Sequence, residues 1–254
     1  MARISIQTSL GEIWLWGEPD RLKGRLPALL VIAGVFCRPD AFWFRLQERM
    51  PQAAVFAAQL PGHLCPALSE TSIAAFVRAF SEAVAQTFSG RPVLVCGDSI
   101  GGTVALGLPN PGIGRVALDP PLRTAGLWPL TERFAGLYAA DPARRAFLSA
   151  ILGFDGVAFR DIDYSGLVQH PARVFMGEIP LLPPRELAQL PSLMVDEDRR
   201  RLEDARFIHT SVVMGAGHVM IWYEDFIVQM FGEELDKTIA RWPAGEPDGA
   251  ADGV

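Results

Sequence analysis

The amino-acid sequence predicts an α/β protein with a mostly parallel central β-sheet flanked by helices and a small helical cap. Short apolar runs that suit strands buried on both faces alternate with runs of helical periodicity, which is typical of parallel sheets. The chain has 254 residues, half of them hydrophobic and a fifth charged. This composition suits a large globular domain and excludes a disordered or fibrous chain.

The strands are predicted in chain order from the apolar runs. The opening of the chain predicts a hairpin, with strands over 3–8 and 12–16 on either side of Leu10-Gly11. Six further runs predict the strands 28–33, 53–58, 92–96, 115–118, 172–176 and 210–214.

Two helices are predicted, the first of them from the spacing of apolar residues. Apolar residues at three- and four-residue intervals over 73–88 form one face, and hydroxyl groups within 69–72 can cap its start. A closing helix is expected over about 224–242. The tail, 243–254, is rich in Gly, Ala, Asp and Pro and is expected to be disordered.

Residues 123–170 interrupt the alternation of strands and helices. The segment is helical in character, rich in aromatic residues and placed between two predicted core strands, where an inserted cap is expected. We therefore predict a core made of 1–122 and 171–242 and a helical cap made of 123–170.

Charge and cysteine usage exclude several classes of partner. The net charge is −6, so the chain would repel nucleic-acid phosphates. Apolar runs reach about ten residues, too short to span a bilayer, and no signal peptide is visible. The three cysteines are odd in number and lack the spacing of a zinc site. We expect a cytoplasmic protein that binds no nucleic acid, membrane, metal or cofactor.

The strongest local motif is Gly97-Asp98-Ser99-Ile100-Gly101, directly after an apolar run. It fits G-x-S-x-G at a strand-to-helix turn, where the two glycines let the strand and the helix pass closely. The serine oxygen would then project above the sheet. The N-terminus of the following helix would favour developing negative charge there.

Two further loops give this motif its context. Ala33-Gly34-Val35 follows an earlier core strand, and Gly215-Ala216-Gly217-His218 follows the last one. With these residues the chain resembles the α/β-hydrolase superfamily over about 3–242, in that family's order of Ser before His. The resemblance implies that Ser99 is the nucleophile and His218 its base, and that the N–H groups of Val35 and Ile100 hold the oxyanion.

The acid of the triad has no clear position in this sequence. The family usually carries an Asp three residues after the glycine that ends the seventh strand, and here that position is Pro180. Asp119, which ends the sixth strand, is the first candidate, and Glu178, one residue after that glycine, is the alternative. Two further possibilities stay open: that the acid is one of the pair Asp196 and Asp198, or that there is no working acid.

The resemblance implies a serine hydrolase that cleaves a carboxylic ester, thioester or lactone of a small hydrophobic substrate through an acyl-enzyme. Gly34, Phe36, Trp128 and Tyr138 are expected to contact that substrate. Two other functions stay open: a carbon–carbon bond hydrolase of β-diketone-like substrates, and a non-catalytic ligand-binding protein on a hydrolase scaffold. A homodimer is also compatible with the sequence.

Overall fold

A computed structural model describes residues 2–38, 42–62, 64–178, 192–220 and 224–242. Eight strands form one sheet: β1 Ala2–Thr8, β2 Gly11–Gly17, β3 Ala28–Ile32, β4 Ala54–Ala58, β5 Val93–Asp98, β6 Gly114–Leu118, β7 Ala172–Gly177 and β8 Ile208–Val213. Their order is β1-β2-β4-β3-β5-β6-β7-β8, and β2 alone runs against the others. The predicted mostly parallel α/β sheet is therefore confirmed.

Helices connect the strands and cover the sheet. The α-helices are α1 Phe42–Arg49, α2 Ile73–Thr87, α3 Ile100–Gly107, α4 Thr131–Ala140, α5 Pro142–Leu152, α6 Asp196–Asp204 and α7 Glu224–Arg241. Short 3-10 helices span Pro19–Lys23, Thr124–Leu130 and Ser165–Leu167. The two helices predicted from the sequence are α2 and α7. The side chain of Ser72 caps α2 by accepting a hydrogen bond from the Ala75 N–H at 3.0 Å.

Alternate residues of β3 enter separate hydrophobic cores on the two faces of the sheet. In β3, Leu30 packs with α2 on one face of the sheet, and Leu29 packs with α1 and α7 on the other. Both faces of β3 and β4 are buried throughout, which explains why their sequences are wholly apolar.

The segment between β6 and β7 contains α4, α5 and two 3-10 helices, so it has the predicted helical content. Its aromatic rings pack together, with the centroids of Phe154 and Phe159 4.7 Å apart, and Phe147 stacks on Phe76 of α2 at 6.1 Å. The boundaries of a cap at 123–170 stay a prediction. The tail predicted to be disordered, 243–254, lies outside the described residues. No helix in the described ranges could cross a membrane.

Candidate active site

Ser99 occupies a sharp turn between β5 and α3. Its backbone has φ 54° and ψ −125°, which an L-residue adopts only under strain. A Cβ atom on Gly97 would lie 2.1 Å from the Gly101 carbonyl oxygen, and one on Gly101 would lie 2.2 Å from that of Ile32. Both glycines are therefore required for the close crossing of strand and helix that exposes the serine.

Backbone strain is concentrated at this edge of the sheet. In the described part of the chain, the non-glycine residues with positive φ are Phe36 at 59°, Ser99 at 54° and Asp119 at 42°. They follow β3, β5 and β6, three neighbouring strands. Strain of about 1–3 kcal/mol per residue persists only where the surrounding structure imposes it, and it is characteristic of functional sites.

His218 connects Ser99 to Asp119. Its Nε2 atom lies 3.0 Å from the Ser99 Oγ atom, and its Nδ1 atom lies 2.7 Å from the Asp119 Oδ2 atom. His218 is 8% exposed and Asp119 is fully buried. A carboxylate can only accept, so Nδ1 carries the proton and Nε2 is left to accept from the serine hydroxyl.

Asp119 is stabilised as an anion by four donors. Besides His218, the Gly177 N–H donates to Oδ1 at 3.2 Å, the Leu193 N–H donates to Oδ2 at 2.8 Å, and the Ser192 hydroxyl donates to Oδ1. Burial opposes ionisation, but the hydrogen bonds from His218, Ser192 and Leu193 outweigh it and lower the pKa of Asp119. The carboxylate is therefore charged at neutral pH.

The other acid candidates are not in contact with His218. The Glu178 carboxylate accepts a hydrogen bond from the Gly215 N–H at 2.6 Å and so supports the loop before the histidine. Asp196 and Asp198 lie in α6. Of these sequence candidates, the structure brings Asp119 to His218. The usual family position, Pro180, lies outside the described residues.

The two predicted oxyanion donors flank the nucleophile. Ile100 follows Ser99 directly, and a Cβ atom on Gly34 would lie 3.1 Å from the Ser99 Cβ atom, so the loop after β3 adjoins the serine. Neither the Val35 nor the Ile100 N–H donates a hydrogen bond to another described residue. The role of both N–H groups as oxyanion donors stays a prediction.

Asp98 is a charged group of the site that the sequence analysis overlooked. It is half-buried beside Ser99, and a Cβ atom on Gly34 would lie 3.1 Å from its Oδ2 atom. Burial, reinforced by the charge of Asp119 and opposed by His218, raises the pKa of Asp98 to about 6. A second carboxylate is thus ionised beside the nucleophile at neutral pH. Ser192 was also missed, and it follows no recognisable motif.

The predicted substrate contacts have different environments. The Phe36 ring packs against Phe134 and Phe147 of the helical segment, with both centroid distances 6.0 Å. Tyr138 packs edge-on against Phe154 at 5.6 Å, and Trp128 is 45% exposed. Phe36 therefore joins the loop after β3 to the helical segment, while contact of any of these residues with substrate stays a prediction.

Metal-ligating residues do not cluster within the described ranges.

Comparison with known proteins gives a family match and several similar folds. The model of the alpha/beta hydrolase family matches residues 26–229. No curated protein matches the sequence. A Pyrococcus furiosus esterase is 14% identical with a TM-score of 0.60, over 94% of this chain and 91% of that one. A thermophilic esterase from Thermogutta terrifontis, with malate bound, is 18% identical with a TM-score of 0.58, over 94% and 100%.

A third similar structure is the thioesterase domain from the curacin biosynthetic pathway. It is 14% identical with a TM-score of 0.57, over 92% of this chain and 99% of that one. At such identities these structures show a shared fold. The family model covers well over half of the sequence and includes the serine turn, Asp119 and His218. The chain therefore belongs to the alpha/beta hydrolase family.

Proposed function

We propose that this protein is a serine hydrolase that cleaves a carboxylic ester, thioester or lactone with a small hydrophobic acyl part. The observation that carries the proposal is the continuous hydrogen-bonded chain from Ser99 through His218 to Asp119, with distances of 3.0 and 2.7 Å. In such a chain the acid fixes the histidine tautomer, the histidine acts as the base and the serine attacks.

Acylation starts with the neutral histidine. The Ser99 Oγ atom attacks the carbonyl carbon while its proton moves to His218 Nε2, and the carbonyl oxygen becomes an oxyanion. The N–H groups of Val35 and Ile100 donate to that oxygen. The carbon–oxygen or carbon–sulfur bond to the leaving group then breaks. The departing alcohol or thiol takes the proton from Nε2, which leaves an ester on Ser99.

Deacylation uses the same groups with water as the nucleophile. Water loses a proton to His218 Nε2 and its oxygen attacks the acyl carbon. The second tetrahedral intermediate expels the Ser99 oxygen, which regains the proton, and releases a carboxylic acid. Asp119 stays ionised throughout and stabilises the imidazolium that forms in each half-reaction.

The expected acyl group is apolar because aromatic rings adjoin the nucleophile loop. Phe36 follows the loop residue Val35 and packs with Phe134 and Phe147. Pockets for small ligands are mostly lined by such side chains. Two esterases and a thioesterase domain share the fold, which supports an acyl substrate for this chain as well.

The two other functions now have less support than the ester hydrolase. The absence of an acid at position 180 favours a non-catalytic binding protein. The contact between Asp119 and His218 weakens that argument, because it offers another acid to the histidine. No described contact favours a carbon–carbon bond hydrolase. Product analysis separates the two chemistries, because ester cleavage gives an alcohol and carbon–carbon cleavage gives a ketone or enol.

A fluorophosphonate probe tests the proposal directly. The Ser99 oxygen should displace fluoride from the probe, so the native protein should gain the mass of one probe molecule less one HF, and peptide mapping should locate the phosphonyl group on Ser99. Ser99→Ala should remain unlabelled, while Ser81→Ala, a serine in the middle of α2, should label like the native protein. Esters of increasing acyl length should then give a carboxylic acid and an alcohol, with hydroxylamine capturing the acyl-enzyme.

Two results would count against the proposed function. Absence of labelling in protein with a native circular-dichroism spectrum would show that the serine is not activated. Labelling that persists in Ser99→Ala would assign the reactive group to another residue.

A further inference from the structure

A cleft of about 670 Å³ opens at the amino-terminal ends of β6 and β7. Its walls are the loop 109–113, the starts of β6, β7 and β8, and the last turns of α7. The strands are parallel, so their starts lie at the edge of the sheet opposite to the edge that carries Ser99. The cleft is therefore separate from the candidate active site.

The charged side chains that line this cleft are mostly basic. Three arginines, Arg115, Arg173 and Arg241, are accompanied by one acid, Glu234. The Glu234 carboxylate already pairs with the ammonium group of Lys237 at 2.7 Å. The chain as a whole has a net charge of −6, so this local excess of positive charge does not follow from overall composition.

Arg115 is the most buried of these charged residues. It is 7% exposed, and its guanidinium donates hydrogen bonds to the carbonyl oxygens of Leu108, Asn110 and Ile113. Burial lowers its pKa to about 10, so it stays cationic at neutral pH. Carbonyl oxygens satisfy the N–H groups but carry no net charge. Buried charges are normally paired, and within the described residues no carboxylate pairs with Arg115.

Two histidines also line the cleft. Burial and then the positive charge of Arg115 lower the pKa of His170. His209 is exposed and lies opposite Arg173 in the register of β7 and β8. An anion in the cleft would offset the charge of Arg115 and make protonation of His170 more favourable. Binding of an anion would therefore be coupled to proton uptake.

We propose that this cleft is a binding site for a compact dianion, either a phosphate group or a small dicarboxylate. Guanidinium groups recognise both chemistries with paired hydrogen bonds. Arg241 from the end of α7 would contact the ligand together with Arg173 of β7, whose guanidinium also donates a hydrogen bond to the Ser211 hydroxyl. Arg115 would attract the ligand electrostatically without touching it. A volume of about 670 Å³ lies in the range of small-molecule sites.

Isothermal titration calorimetry on the full chain tests the site without using enzyme activity. Inorganic phosphate and succinate are titrated separately at pH 6.5 and constant ionic strength. At least one should bind saturably, and the double variant Arg173→Gln/Arg241→Gln should raise its Kd at least tenfold. Arg25→Gln, an exposed arginine outside the cleft, should leave the Kd unchanged. Binding of phosphate alone or of succinate alone identifies the ligand chemistry.

The pH dependence gives a second readout. Succinate should bind more weakly at pH 8 than at pH 6.5, with proton uptake visible as a dependence of the heat on the buffer. If the double variant fails to fold, the single variant Arg241→Gln, at the exposed end of α7, replaces it in the test. This single variant should raise the Kd about threefold. No saturable heat with either anion, or an equal loss in Arg25→Gln, would overturn the proposal.

Discussion

Replacing Asp119 with asparagine removes one charge and almost no volume. The two carboxylate oxygens accept four hydrogen bonds, from Gly177 and Ser192 at Oδ1 and from Leu193 and His218 at Oδ2. An amide has one oxygen, so its NH₂ group must face a backbone N–H in either orientation. One donor loses its acceptor, which costs about 1–3 kcal/mol of folding stability.

Both orientations of the amide also impair the proposed chemistry. With NH₂ toward His218, it donates to Nδ1, the ring proton moves to Nε2, and Nε2 cannot accept from Ser99. With oxygen toward His218, the tautomer survives, but the imidazolium formed during reaction loses its counter-charge. At 2.7 Å and an effective dielectric constant near 20, that attraction is about 4–6 kcal/mol. The expected loss in kcat is therefore about 10³–10⁴.

The assay compares kcat/KM for a short-chain 4-nitrophenyl ester in Asp119→Asn and in Asp198→Asn. Asp198 is also a buried carboxyl, but it lies in α6 and does not contact His218, so its variant should retain native activity. Urea unfolding of both variants confirms that they are folded at the assay temperature. A loss of less than tenfold in folded Asp119→Asn would refute the assignment of Asp119 as the acid.

Three further predictions follow from individual contacts. Gly101→Ala forces a Cβ atom to within 2.2 Å of a β3 carbonyl oxygen, so it should lower the free energy of unfolding by about 3 kcal/mol or more. Gly136→Ala places its Cβ atom in open space on α4, so it should raise the free energy of unfolding by about 0.5–1 kcal/mol. Urea titration measures both changes. Glu178→Gln keeps an oxygen for the Gly215 N–H and should change kcat/KM less than threefold. Burial raises the Asp198 pKa to about 6, and neither carboxylate oxygen has a hydrogen-bond partner among the described residues. The cost of ionising it in the folded protein therefore grows from about pH 4 to about pH 6 and stays constant above that. Asp198→Asn should stabilise by up to about 3 kcal/mol at pH 8, and the gain should vanish toward pH 4, as measured by thermal unfolding across pH.

The sheet could be predicted from sequence because most of its strands are buried on both faces. β3 and β4 match the predicted runs to within one residue at each end. β8 was predicted at 210–214 and runs over 208–213. It lies at the sheet edge, where buried Ile208 and Val213 are separated by partly exposed residues, so hydrophobicity marks its boundaries poorly.

The sequence left several positions open for the acid of the candidate site, and the reason is geometric. β6 and β7 are adjacent, so moving the acid from one strand end to the other is a lateral step of about 4.8 Å. Residue spacing reports only how far apart residues are along the chain, so it does not reveal such a lateral shift between neighbouring strands. Asp119 also needs a φ of 42°, and its anion depends on Gly177 and Ser192, 58 and 73 residues away. No short sequence motif encodes this backbone angle or these distant hydrogen-bond partners. Only the folded chain can therefore distinguish Asp119 from Glu178.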